Sequence, residues 1–204
     1  MLRAIRCVLG AAILFGGGLL AQPPADNYFP LKLKSKWTYK IGDNFVDVTV
    51  AKMDKVGGDD HYQLDTVVGK DPKMSETVFV RTDGKDPGVY RSRVKDDKVD
   101  PPFKVLALPV KKDASWDVNC KLGTQTIKGT LKVKNDKETI KLKGPNGDVE
   151  YETVLVESEN MDIAGAKTTM RIWFAKNYGI VKQEVIVQGN DRVLLELFKY
   201  EEAK

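Results

Sequence analysis

Apolar residues recur at every second position through most of this chain, and that period of two settles the fold class. Val46, Val48 and Val50 alternate with Asp47, Thr49 and Ala51, and after a turn at Gly57-Gly58-Asp59-Asp60 the pattern resumes at Tyr62, Leu64, Thr66 and Val68. Ile127, Gly129, Leu131 and Val133 stand against Lys128, Thr130, Lys132 and Lys134, and Ile140 and Leu142 continue the series against Lys141 and Lys143. Asn146-Gly147 turns the chain into Val149, Tyr151, Thr153 and Leu155, and Gly189-Asn190 turns it into Val193, Leu195 and Leu197. Thr77–Arg81 and Val89–Val94 flank Asp83-Gly84 and Pro87-Gly88, which reads as a further hairpin. The clearest unit is Thr168–Val187, where Met170, Ile172 and Phe174 alternate with Thr169, Arg171 and Trp173 before a break at Lys176-Asn177-Tyr178-Gly179. Such alternation around a short Asn/Gly loop is the sequence form of a β-hairpin, with Gly179 suited to a positive φ. Beyond the N-terminal run, no window of a dozen residues keeps apolar residues at helical spacing. About a dozen strands with one polar and one apolar face mean an antiparallel all-β sandwich, barrel or rolled sheet.

The first 21 residues stand apart. Arg3 and Arg6 form a basic start, Cys7–Leu20 an apolar run, and Ala21 a small residue at a cut site, which is the pattern of a secretory signal peptide. The run is shorter than the ~20 residues a membrane-spanning helix needs, and Gly16-Gly17-Gly18 weakens it as a helix. An uncleaved N-terminal anchor is the alternative. Cys7 opens the run, whereas a lipid-accepting cysteine would follow it, so lipidation is not expected. Cleavage leaves residues 22–204 as a single domain with no stable membrane span. The 33 basic and 29 acidic side chains, less Arg3 and Arg6, leave a net charge of +2, which argues against nucleic acid as a partner. Cys120 is then the sole cysteine and is expected to be buried.

An internal echo runs through the mature chain. Phe29-Pro30-Leu31-Lys32 leads to Trp37, and Leu108-Pro109-Val110-Lys111 leads to Trp116, each tryptophan seven residues after its proline. Gly88-Val89-Tyr90-Arg91 corresponds more loosely to Gly179-Ile180-Val181-Lys182. Two repeated halves, 29–107 and 108–200, sharing one core are expected, with chance similarity among β-rich segments as the competing reading.

Residue types for acid–base and nucleophilic chemistry are nearly missing. His61 is the only histidine and falls on the polar side of its strand with Gln63 and Asp65. One histidine and one mature cysteine do not make a usual zinc site, and no G-x-S-x-G elbow, Walker loop, G-x-G-x-x-G or calcium-loop pattern occurs. Thr82–Pro87 carries two carboxylates, which a hairpin turn explains better than calcium. A carboxylate pair suffices for glycoside hydrolysis, but among 29 acids no pair stands out, and Glu150 and Glu152 read as a solvated strand face. The expectation is no enzyme, no catalytic residues, no metal and no cofactor.

Two features bear on binding. Lys128, Lys132, Lys134, Lys141 and Lys143 form a stripe that could meet an anionic polymer or lipid headgroups, although lysines also solubilise a face and protect sheet edges. Trp37, Tyr39, Trp116, Trp173 and Tyr178 could line a cavity, although aromatics more often plug a core. Trp173 admits two placements. If Met170, Ile172 and Phe174 face the interior, Trp173 lies outside beside Arg171, where ring and guanidinium stack. If the sheet rolls on itself, both faces are buried and Trp173 is core. The first placement makes Arg171, Trp173 and Tyr178 the ligand-binding candidates.

Tyr28-Phe29-Pro30-Leu31-Lys32 with Trp37-Thr38-Tyr39, together with Trp173-Phe174-Ala175-Lys176 and Gly179-Ile180-Val181-Lys182-Gln183-Glu184, gives a resemblance. The chain resembles exported bacterial proteins of unknown function with a spiral β-roll fold, which open on YFPL-K-x-G-x-x-W-x-Y and close on WFAxGxGxVKxE. Lys34 stands where the opening stretch often has glycine, and Asn177 and Tyr178 replace small loop residues. The resemblance implies a spiral β-roll or open barrel and an envelope location, periplasmic or extracellular, and it carries over no catalytic residue. The expected function is a non-enzymatic exported β-domain that binds an envelope protein or an apolar ligand. A lipid or lipoprotein carrier is the alternative, requiring a continuous apolar concave face, and a carboxylate-based hydrolase is the second.

Overall fold

A computed structural model describes residues 27–68, 71–82, 86–188 and 191–204. The expected signal peptide, its cleavage site at Ala21, and the turns at Asp83-Gly84 and Gly189-Asn190 lie outside them. The described residues form twelve strands: β1 (Lys36–Ile41), β2 (Asn44–Val56), β3 (Asp59–Val68), β4 (Asp71–Arg81), β5 (Gly88–Val94), β6 (Asp97–Ala107), β7 (Ser115–Leu122), β8 (Gln125–Gly144), β9 (Gly147–Ile163), β10 (Ala166–Ala175), β11 (Gly179–Val187) and β12 (Asp191–Glu201). Each strand pairs antiparallel with its neighbours in sequence, and β12 pairs with β1, so the barrel is closed rather than open. Among the described residues, closure leaves no free terminal strand to recruit another chain.

The expected hairpin at Thr168–Val187 forms, its register running from Thr168 opposite Val187 to Ala175 opposite Gly179. Gly179 has φ +83°, and a Cβ there would stand 3.5 Å from Pro30 and 3.6 Å from the Trp37 indole nitrogen. The two stretches that carry the resemblance therefore touch. Trp37 Nε1 donates to the Tyr178 carbonyl at 2.6 Å, and the Tyr39 hydroxyl donates to the Ile180 carbonyl at 2.9 Å. Their polar tips satisfy backbone acceptors on either side of Gly179 while their rings fill the interior.

The barrel holds two apolar clusters. One gathers Val89, Leu106, Val118, Cys120, Leu131, Val133, Val154, Val156, Met170, Ile172 and Phe174, and the other gathers Trp37, Tyr39, Val50, Leu64, Val78, Leu142, Tyr151, Trp173 and Leu197. The long β8–β9 hairpin divides them. Its register slips between Val133 and Asn135 and again between Asn135 and Glu138, and such bulges bend a strand and increase its twist. Below the bend Leu131, Val133, Val154 and Val156 join the first cluster; beyond it Leu142 and Tyr151 fold over to the second. β10 lies between the clusters and is buried on both faces, with Met170, Ile172 and Phe174 on one side and Trp173 and Ala175 on the other. Cys120 is buried, and burial pushes its thiol above the ordinary range.

The strand openings at Trp37 and Trp116 have one backbone design. Lys34 (φ +70°) and Asp113 (φ +63°) are both left-handed, four residues after their prolines. Lys34 N donates to Val50 O and Asp113 N to Val133 O, while Val50 N donates to Ser35 O and Val133 N to Ala114 O, all within 2.8–3.0 Å. Ser35 N closes its turn on Lys32 O, as Ala114 N does on Lys111 O. The left-handed Lys34 gives the physical reason why similar opening stretches carry glycine there.

Candidate functional site

β6 contains Pro101-Pro102. Successive residues of a strand point their N–H groups to opposite edges, so two adjacent prolines remove a donor from each edge. Both edges show the loss. On the β5 side the ladder skips from Arg91–Phe103 to Arg93–Lys98. On the β7 side only Val99 pairs with Leu122 and Asp100 with Lys121. From Pro101 to Ala107 the two strands part, and the Trp116 indole bridges them by donating to the Lys104 carbonyl at 3.0 Å.

The parted seam is a cleft of about 410 Å³ lined by Phe79, Arg81, Asp86, Tyr90, Pro101, Pro102, Phe103, Lys104 and Trp116–Cys120. Phe79 and Tyr90 in its lining belong to an aromatic ladder across three strands. The rings of Phe79 and Tyr90 stack at 4.9 Å and 6°, and His61 stacks on Phe79 at 4.4 Å and 25°. Opposed positions in the β3–β4 and β4–β5 ladders hold the rings face to face. The Arg81 guanidinium lies 5.4 Å from the Phe79 centroid and 5.5 Å from that of Tyr90, and Lys104 Nζ lies 5.5 Å from Tyr90. Arg81 pairs with Asp59 at 2.6 Å, and Lys104 pairs with Asp86. The Lys104 ammonium holds the Asp86 carboxyl below the usual range, and burial pushes the Tyr90 hydroxyl, which donates to the Asp86 carbonyl, well above its own. Burial likewise lowers His61, whose Nδ1 lies 3.2 Å from Ser92 Oγ; Asp59 opposes that shift and Arg81 reinforces it. A second groove of about 540 Å³ shares Pro102 and is bordered by Lys52, Asp54, Val56, His61, Gln63, Thr77, Ser92, Arg93, Lys98 and Val99.

The residues singled out in the sequence are arranged differently. Trp173 is 9 % exposed, donates from Nε1 to Glu138 at 3.2 Å, and has Lys182 Nζ 5.2 Å from its ring. The cation against it is thus Lys182 and not Arg171. Arg171 instead joins a chain of charge across four strands, with Glu157 at 2.8 Å and Glu184 at 3.0 Å, and Arg192 completes it on Glu184 at 2.5 Å. Tyr178 is 40 % exposed, meets Tyr151 and Tyr200 edge-on, and lines a pocket of about 170 Å³ with Tyr28, Asp136, Glu150–Val154, Ala175 and Lys176. That volume is below the several hundred Å³ of typical ligand sites. Arg171 and Trp173 do not line it.

The lysine stripe of β8 faces an acidic stripe of β9. Lys128 sits opposite Asp162 and Lys132 opposite Glu157, while Lys134 pairs with Glu159 at 3.1 Å and Lys141 with Asp148 at 3.5 Å. Glu150 and Glu152 are solvated, as their alternation indicates. Among the described residues no group of three or more His, Cys, Asp or Glu could hold a metal ion. Sequence reasoning passed over Phe79, Tyr90 and Phe103, which come together only through the register of β4, β5 and β6. The available signal was Pro101-Pro102 inside a stretch otherwise reading as strand.

No family model matches the chain, and no curated protein matches it. Two solved structures share its fold. One is a protein from Parabacteroides distasonis provisionally described as a lipoprotein, 10 % identical, with a TM-score of 0.55 over 88 % of this chain and 100 % of that one. The other is a protein from Bacteroides fragilis provisionally described as exported, with a YmcC-like fold, 13 % identical, with a TM-score of 0.54 over 87 % of this chain and 100 % of that one.

Proposed function

We propose that the protein is an exported, non-enzymatic β-barrel of the cell envelope that binds a partner or apolar ligand in the β6/β7 cleft. The observation that carries this is the cleft itself. It opens where two prolines interrupt the pairing of an otherwise closed barrel, and its 410 Å³ falls in the range of small-molecule sites. Aromatic walls with a few fixed charges suit recognition. Its carboxylates are engaged, Asp86 with Lys104 and Asp117 with the Thr130 hydroxyl at 3.1 Å, and a carboxyl held ionised makes a poor general acid. A lipid carrier needs a continuous apolar concave face, whereas the cleft and the neighbouring groove are bordered by charges. The basic, apolar and small-residue order of residues 1–21 supports export, and an intact mass retaining Met1–Ala21 on envelope protein would reject cleavage.

The halves 29–107 and 108–200 are read as copies, supported by the matched turns at Lys34 and Asp113 and by the tryptophan second in β1 and in β7. To test the cleft, wild type and Trp116→Ala are purified from the native envelope and bound molecules are identified by mass spectrometry. A compound or partner retained by wild type and lost from a folded Trp116→Ala variant supports the proposal. Equal retention by both places binding elsewhere.

A further inference from the structure

The two seams that join the halves are counterparts with different outcomes. Asp97-Lys98-Val99 opens β6 as Asp191-Arg192-Val193 opens β12, and both strands are eleven residues long. On that match Pro102 corresponds to Glu196, and by the tryptophans Asn119 corresponds to Lys40. Lys40 pairs with Glu196 in the closed β1/β12 seam. In the β6/β7 seam, carrying the register of Asp100–Lys121 onward sets Asn119 opposite Pro102, the same pairing. The five positions of β1 from Lys36 to Lys40 that are filled by β12 thus have counterparts at Ser115–Asn119 that β6 leaves empty. Trp37 is 2 % exposed and stacked on Tyr200 of the strand beside it, whereas Trp116 is half-buried on the cleft wall.

From this we infer that the cleft accepts an extended peptide segment of a partner protein, which adds as a strand against β7 in the place β12 takes against β1. This deepens the cleft reading and rests on it. Five strand residues present about 17 Å of backbone edge at ~3.3 Å each, which gives affinity through main-chain hydrogen bonds. Phe79, Tyr90, Phe103 and Trp116 supply apolar seats for alternate side chains, so the segment alternates apolar and polar residues. The proline pair keeps β6 from closing the seam itself.

The probe is a synthetic peptide of residues 191–201, the strand that fills the counterpart seam. Calorimetry follows its binding to the full mature chain, and hydrogen exchange reports the amides of Phe103–Ala107 and Ser115–Asn119. The expected result is saturable binding with new protection at Ser115–Asn119, weakened at least tenfold by N-methylation of alternate peptide amides. The variant Pro101→Leu/Pro102→Glu, which installs the residues of β12, is expected to stay folded and lose binding at least tenfold. Undiminished affinity of the N-methylated peptide overturns strand addition without depending on any variant. So does failure of both this peptide and a displayed library of random nonapeptides to bind. If Nile red still binds wild type and is lost in Trp116→Ala, the cleft reading stands while strand addition falls. If neither peptide nor dye binds, both fall.

Discussion

Replacing Trp173 by alanine removes a ring that fills the second cluster between β10 and the returning β8–β9 tip. The residue is 9 % exposed, so nearly all of a large aromatic surface is lost from the interior. Aromatic-to-alanine changes at such positions cost about 3–5 kcal/mol, made of lost transfer energy and the cavity left behind. Relaxation is limited, because Trp37, Tyr151 and Leu197 around the gap are anchored on other strands. The indole N–H to Glu138 at 3.2 Å adds about 0.5–1.5 kcal/mol. For a domain of this size each kcal/mol lowers Tm by about 2–4 °C, so the summed loss of about 3.5–6.5 kcal/mol is expected to lower Tm by roughly 7–26 °C. Urea titration followed by far-UV circular dichroism gives the free energy directly, and an unchanged slope shows that compactness is retained. Trp173→Phe, which keeps most of the ring, is expected to lose only about 1–2 kcal/mol. A Trp173→Ala variant within ~1 kcal/mol of wild type would refute the core placement and return Trp173, with Arg171, to the ligand candidates.

Two further outcomes follow from single positions. Lys34→Gly is expected to raise stability by about 0.5–1 kcal/mol, because the left-handed φ of +70° strains a side-chain-bearing residue by more than glycine's added freedom costs; a lower denaturation midpoint would contradict it. At Glu184, burial raises the carboxyl but Arg171 and Arg192 outweigh it and hold it below the usual range, so its stabilisation is full above the unfolded carboxylate pKa of about 4.3 and is lost as pH falls through the lower folded value. Glu184→Gln is accordingly expected to cost about 1–3 kcal/mol at pH 7 and to shrink that difference below pH 4, and a difference independent of pH would remove Glu184 from the account.

The period-two alternation disclosed the strands and the Thr168–Val187 hairpin because each depends on residues near in sequence. Burial of Cys120 followed instead from the behaviour of a free cysteine as a small hydrophobe. What alternation could not disclose is which faces are covered. The pattern of one apolar and one mixed face on β10 left two placements open, one wet side or both sides buried, and the β8–β9 hairpin, which bends at the polar stretch Asn135–Glu138, covers the second side. The apolar series of β8 changes phase there, from odd positions through Val133 to even positions at Ile140 and Leu142, but a phase change alone does not say what the bend covers. The cleft was hidden for a related reason. Phe79, Tyr90, Phe103 and Trp116 belong to four strands, and only their register gathers them.

The residues that make this chain look like exported β-roll proteins hold the fold shut, and that limits what the likeness can say about function. Trp37 and Tyr39 spend their polar atoms on the carbonyls of Tyr178 and Ile180, and Asn177 N donates to Asn27 O at 2.7 Å beside them. Pro30 and the Trp37 ring pack at van der Waals distance over Gly179, whose φ of +83° is what favours glycine there. These contacts couple the opening strand to the closing hairpin, so they persist in any barrel closed this way, whatever it binds. The β6/β7 seam is released from that duty because β12 and β1 already close the ring. A proline pair is tolerable there and would break the barrel at Leu195-Glu196, where Glu196 pairs with both Lys40 and Lys182. Difference between relatives is therefore expected to concentrate at Pro101–Lys104 and Trp116–Cys120, the positions that closure of the ring does not fix.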